Sequence, residues 1–111
     1  MRDIPVDLSG YRLMVTEPPA LKMRRTPDGM VEPATDGEGA NLYTVSLFAK
    51  RTGERGEEIR VTLATDPGDA VDEGDLVELI GATLTPYSFK NDRGETVFGI
   101  AFKAMGLKPV G

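Results

Sequence analysis

Two aromatic side chains stand one residue apart, Tyr87 and Phe89, with Lys90 directly after them and Arg93 three positions further on. A flat π-face beside a cation is the chemistry for stacking on a planar base and neutralising a phosphate. The same residue types recur upstream as Phe48, Lys50 and Arg60, and Lys22, Arg24 and Arg25 form the densest basic cluster. Each has a plain alternative. Phe48 could be a satellite core contact under a loop, and Tyr87 and Phe89 could pack within their own hairpin. Lys50 and Arg60 could be solvated cross-strand partners of Glu58 and its neighbours, and the basic cluster could serve solubility alone.

Other chemistries are closed by composition. The sequence has no Cys and no His, which removes disulfides, thiolate and imidazole metal sites, and the Ser–His–Asp and Cys–His mechanisms. Carboxylates, Lys, Tyr and hydroxyls remain, but acid/base work by these needs strongly shifted pKa values. The expectation is a protein that binds rather than catalyses, with no cofactor and no metal. The acidic run Asp66, Asp69, Asp72, Glu73 and Asp75 satisfies the EF-hand calcium pattern in no register. Gly37–Glu38–Gly39 completes no dinucleotide fingerprint, and no phosphate-binding loop is present.

The candidate binding residues are carried by strands. Tyr11 to Val15 reads as a first strand, broken at Pro18–Pro19 because proline lacks the amide donor, and resuming at Leu21 to Met23. Residues 24–40, rich in Pro, Gly, Asp and Thr, read as a long, mobile loop. Asn41 to Arg51 alternates with period two: Tyr43, Val45, Leu47 and Ala49 on one face, Thr44, Ser46, Phe48 and Lys50 on the other. A turn at Thr52 to Gly56 leads into a third strand, Glu57 to Thr65, with Ile59, Val61 and Leu63 inward. The acidic connector is at most one helical turn. A fourth strand runs from Asp75 to Thr85 and on toward Phe89, with Gly81 marking a bulge or corner. A fifth runs from Thr96 to Lys103 and on toward Leu107, with Gly99 inside it. Tyr43, Phe98 and Phe102 fall on apolar faces and read as core.

The whole chain, 1–111, is expected to form one domain. About five strands in a chain this short need closure or a partner sheet to avoid exposed edges; the five-stranded Greek-key barrel of the OB-fold is the all-β architecture that fits best, ahead of an SH3-like barrel, whose strands are usually shorter, and a small sandwich. Residues from Asn41 to Pro109 resemble the core of the bacterial single-stranded DNA-binding protein family. The resemblance rests on Gly74–Asp75 opening a strand with Leu76, Val77, Leu79, Gly81 and Leu84. It continues in a hairpin with Tyr87, Phe89, Lys90 and Gly94, and in the apolar strand Val97 to Met105. The sequence departs from the family in having no Trp, a short connector, and no acidic tail before Gly111. The resemblance therefore implies a compact, tailless accessory form of the kind found on phages and mobile elements, serving replication or transfer.

On an OB barrel the ligand lies across strands two and three, between the one–two and four–five loops. That face would use Phe48, Lys50 and Arg60, flanked by Lys22, Arg24 and Arg25 on one side and Tyr87, Phe89, Lys90 and Arg93 on the other. The formal net charge of −5 is awkward for phosphate binding, but the acidic connector is expected at the far end of the barrel, leaving the cleft locally basic. The expected partner is single-stranded DNA, bound without sequence preference, and the pattern does not distinguish it from RNA. A homo-oligomer is expected from an exposed strand edge. No apolar stretch approaches the ~20 residues of a membrane span, and residues 1–10 carry no signal peptide, so the expected location is cytoplasmic. The acidic balance keeps a second class open: an OB-type protein-interaction or assembly module with no nucleic-acid ligand.

Overall fold

The computed structural model describes residues 3–68 and 71–110, so Asp69 of the acidic run lies outside it. Among the described residues the chain is all β. In order, the strands are β1 (Ile4–Pro5), β2 (Arg12–Leu21), β3 (Met23–Arg25), β4 (Val31–Pro33), β5 (Tyr43–Lys50), β6 (Glu57–Leu63), β7 (Leu76–Ile80), β8 (Thr83–Lys90), β9 (Thr96–Ala104) and β10 (Gly106–Pro109). Among these residues no helix is long and apolar enough to cross a membrane.

The main sheet has eight strands in the order β1-β8-β9-β6-β5-β2-β7-β10, where about five were expected. Two expected strands are each bent into two pieces. The fourth becomes β7 and β8, parted at Gly81 and Ala82; the fifth becomes β9 and β10, parted at Met105. Gly81 has φ +63°, and a Cβ there would stand 2.8 Å from Cγ of Met105, so the two bends pack on each other and exclude a side chain. Strand β7 pairs with β2 near one end of the order, while its continuation β8 pairs with β9 near the other. The sheet therefore curls until one bent strand joins its ends. Strands β6 and β9 are parallel; the other pairings are antiparallel. This curled all-β sheet is consistent with an OB-fold.

Two further expectations are corrected. Residues 24–40 are not a plain loop: β3 and β4 pair as a hairpin, and Thr35 bridges to Asn41 beyond it. The loop-like composition belongs to two tight turns. Thr26 receives Met30 N–H on its hydroxyl (3.1 Å), and the Asp36 carboxylate receives the N–H groups of Glu38 and Ala40 (2.8 and 3.0 Å). Nor does Pro18–Pro19 break the first long strand. Strand β2 runs through it, and its register with β5 slips twice, between Val15 and Glu17 and between Glu17 and Ala20; the slips take up positions where proline has no donor to offer.

The period-two pattern builds the core. Leu13 and Val15 of β2, Val45, Leu47 and Ala49 of β5, Val61 and Leu63 of β6, Val77 of β7 and Ala104 of β9 are buried, together with Val71 from the connector. Each fully buried Leu or Val contributes about 1.5–3 kcal/mol. Tyr43 and Phe102 pack against this cluster as expected. Phe98 does not: it is 79% exposed. Strand β9 pairs with β6 only at Phe102 to Ala104, so the β8–β9 hairpin runs off the core and carries Phe98 past it.

Candidate nucleic-acid interface

The residues that alternate with the core define an outward face. Leu76, Met14, Phe48 and Glu58 stand in one register row across β7, β2, β5 and β6. On one side of that row Arg12 faces Lys50. On the other, Ser46, itself buried, faces exposed Arg60, and then half-buried Thr44 and Thr62 line up with exposed Lys103 across β5, β6 and β9. By the alternation of β8 and β9, the face continues onto the hairpin through Thr85 and Ala101 to Tyr87 and Gly99, then Phe89 and Val97.

Tyr87 and Phe89 stack on each other, with ring centroids 6.2 Å apart and planes 14° from parallel. They stay 46% and 52% exposed. Gly99 makes room for the phenol: a Cβ there would lie 2.4 Å from the ring and its oxygen. Four residues back from the Thr62–Lys103 pair stand Glu58 on β6 and Gly99 on β9, and Gly99 pairs with Tyr87. By register, the stacked rings therefore share the level of Phe48, across the opening where β6 and β9 part. The far edge of the Phe48 ring rests on Gly56, where a Cβ would come within 2.3 Å; the rest of the ring is partly exposed.

The cations divide into those on this face and those off it. Lys22 lies between β2 and β3, and its Nζ donates to Oγ1 of Thr62 at 3.0 Å, placing it over β6. Arg60 is exposed beside Ser46 with no carboxylate at ion-pair distance among the described residues. Lys50 is half-buried, its ammonium donating to the carbonyls of Arg51 (3.0 Å) and Glu54. Arg24 and Arg25 belong to the small β3–β4 sheet, where the Arg24 guanidinium pairs with Glu32 at 2.9 Å. Lys90 pairs with Thr96 and so alternates onto the opposite face of the hairpin from Tyr87 and Phe89. Arg93 sits in the turn, its N–H held by Oδ1 of Asn91 at 3.0 Å.

The structure adds two cations that the sequence reading passed over, Arg12 and Lys103. Both were legible as the outward member of an alternating pair: Arg12 precedes inward Leu13, and Lys103 follows inward Phe102. Lys103 lies 4.0 Å from the Asp3 carboxylate, which also accepts a hydrogen bond from the Thr85 hydroxyl at 2.6 Å. Negative charge is present too, in Glu58 beside Phe48 and Glu17 opposite Ser46. The acidic connector leaves β6 at Leu63, away from the aromatic row, but ends beside β2. There Gly74 N–H donates to the Val15 carbonyl and Val15 N–H to the Asp75 carbonyl, at 2.8 and 2.9 Å.

Two carboxyls are held below their usual range, Asp7 by the Ser9 N–H and hydroxyl and Asp28 by the Thr26 hydroxyl. Both are exposed turn residues away from the aromatic row. Among the described residues no three carboxylates gather as a metal site. A cavity of 620 Å³ is lined by residues 5–9, 11–13 and 76–79 with Gly81, Ala82 and Val110; a smaller, open notch of 190 Å³ is lined by Arg12, Met14, Phe48, Lys50 and Leu76.

No protein-family model matches this sequence, and no curated protein sequence matches it. Among solved structures, the chain is similar to the mitochondrial single-stranded DNA binding protein Rim1 from S. cerevisiae, with a TM-score of 0.60 over 89% of each chain at 12% identity. The likeness at that identity is one of fold.

Proposed function

We propose that this protein binds single-stranded DNA, without sequence preference and without catalysing a reaction, across the outward face of β5 and β6 and the adjoining face of the β8–β9 hairpin. In this reading β7 with β8, and β9 with β10, count as two bent strands, so that the main sheet is a five-stranded OB barrel extended by the short β1. The observation that carries the proposal is the exposed Tyr87–Phe89 stack standing level with Phe48 on the same face, with Arg60 two residues along β6 from that level and Lys22 and Lys103 two residues further. Exposed, parallel rings are stacking platforms for successive bases, and intervening cations track the backbone. The solved structure that shares the fold is that of a protein described as binding single-stranded DNA, which supports the same reading.

The energies are of the right order. Two or three stacks at ~1–3 kcal/mol each, with a few phosphate contacts, approach the roughly 8 kcal/mol of micromolar affinity. The net charge of −5 is compatible because phosphates meet the local row of cations rather than the sum over the chain. Phe98 and Ile100, exposed on the other face of the hairpin, support the homo-oligomer reading.

The test is fluorescence anisotropy with a labelled oligo-dT of about 30 nucleotides, roughly two ~16-nucleotide sites, against a duplex of equal length. Binding to the single strand that weakens between about 50 and 200 mM salt, with little binding to the duplex, is expected. No single-strand binding at the lower salt contradicts the proposal and leaves the protein-interaction module, favoured by the acidic balance and the exposed Phe98 and Ile100, as the better reading.

A further inference from the structure

The notch on the far side of Phe48 has a chemistry of its own. Its walls are apolar, made by Met14, Phe48 and Leu76, neighbours in one register row across β2, β5 and β7. Its rim carries two cations, Arg12 and Lys50, set directly opposite each other. Like charges in that relation repel. Lys50 is turned onto two backbone carbonyls rather than onto a carboxylate, and Arg12 has no carboxylate at ion-pair distance among the described residues. The acid that the same register places opposite Arg12, Glu78, is paired with Lys108, so both rim cations are left without a carboxylate partner among the described residues. At 190 Å³, the notch is smaller than the roughly 300–1,000 Å³ of pockets that take drug-sized ligands. A small group with an apolar body and an anionic edge would match these walls and this rim.

We propose that this notch is a subsite for one nucleotide, its base against Phe48, Met14 and Leu76 and its phosphate on Arg12 and Lys50. The inference rests on the single-strand reading and extends it. Phe48 becomes the shared wall between two regions, the cleft toward Tyr87 and Phe89 on one side and the notch toward β2 and β7 on the other. The strand's path then turns past β5 instead of ending there, over two strand spacings of about 4.8 Å each. Neither Met14 nor Leu76 is needed by the core: both are outward and exposed, at 39% and 43%.

The test uses the whole chain, labelled oligo-dT, and three variants, Met14→Glu, Leu76→Glu and Arg12→Ala, with Tyr87→Ala as a reporter on the cleft. A carboxylate in the notch is expected to weaken binding to a ~16-mer by about tenfold or more. Arg12→Ala is expected to lower the magnitude of the log–log salt slope by about 0.7, one phosphate released. For oligonucleotides near the ~4-nucleotide lower limit of site size, bound by the cleft alone, the Glu variants are expected to match the wild type. Arg12→Ala, an exposed polar change, decides the matter even if a Glu variant unfolds. If Tyr87→Ala weakens binding while the folded notch variants and Arg12→Ala match the wild type at every length, the subsite is overturned and the single-strand reading stands. If the wild type does not bind oligo-dT, both fall. If the notch variants change only the sedimentation of the protein and not its DNA affinity, the notch is a contact between copies and the nucleotide subsite is overturned.

Discussion

The phenol ring of Tyr87 lies over Gly99 of the neighbouring strand, so close that a methyl group added to Gly99 would stand 2.4 Å from the ring. Gly99 leaves the space in which one ring of an exposed aromatic pair rests against the neighbouring strand. Gly99→Ala should therefore separate stability from binding. Alanine is favoured over glycine in a strand by roughly 0.5–1 kcal/mol, and the exposed ring can swing aside, so the melting temperature should hold or rise. Affinity for single-stranded DNA should fall as it does for Tyr87→Ala, by the ~1–3 kcal/mol of one base stack. Thermal denaturation and anisotropy on the same sample check the two directions.

Arg60 is the exposed cation nearest the middle of the proposed track, beside Ser46 and without an ion-pair partner among the described residues. Arg60→Ala should leave stability within about 0.5 kcal/mol, as surface changes generally do. It should lower the magnitude of the salt slope by about 0.7. Arg24→Ala, on the separate β3–β4 sheet and already paired with Glu32, should leave the slope unchanged. Titrations at several salt concentrations distinguish the two.

In the proposed track, Asp3 stands beside Lys103 where a phosphate would be held. Its carboxylate lies 4.0 Å from the ammonium and accepts a hydrogen bond from Thr85 at 2.6 Å. Asparagine retains an oxygen for Thr85 and loses the charge. Because exposed ion pairs are worth about 0–1 kcal/mol, Asp3→Asn should change stability little and tighten single-strand binding by up to about fivefold at low salt. The gain should fade as salt screens the pair. Unchanged binding in Asp3→Asn at low salt would mean that Lys103 plays no part in the track.

The bend at Gly81 joins the two ends of the curled sheet. Its φ of +63° costs a non-glycine residue roughly 1–2 kcal/mol, and Met105 Cγ would lie 2.8 Å from the added carbon. Gly81→Ala should therefore destabilise by at least that amount. Urea denaturation should show a lower midpoint with an unchanged slope.

Much of this was legible because alternation is a local signal. The inward set Val45, Leu47, Ala49, Val61 and Leu63, and the outward Phe48 and Arg60, follow from period two alone. What the sequence hid depends on where strands part. Phe98 has the parity of a core residue, yet the β6–β9 pairing ends at Phe102, and nothing in the residues Thr96 to Phe102 announces where a neighbour stops. Lys90, by contrast, lies on the opposite face from Tyr87 and Phe89 by simple alternation along β8, which the sequence already carried. Two successive turns at Thr26–Met30 and Asp36–Ala40 have the composition of one loop, which concealed β3 and β4. Arg12 and Lys103 could have been found by applying to the edges of the pattern the alternation that identified its middle.

The central claim is that bases stack on Tyr87, and intrinsic fluorescence reads it directly. The sequence has no Trp and three Tyr. Tyr11 lies beneath the Arg51 guanidinium at 5.8 Å, and Tyr43 packs against the core, leaving Tyr87 as the exposed ring. Saturation with oligo-dT should quench the tyrosine emission, and Tyr87→Phe, which keeps a ring for stacking, should abolish most of that change while binding within a few-fold of the wild type. Emission that stays constant while anisotropy shows the strand fully bound, or quenching that survives in Tyr87→Phe, would contradict the claim.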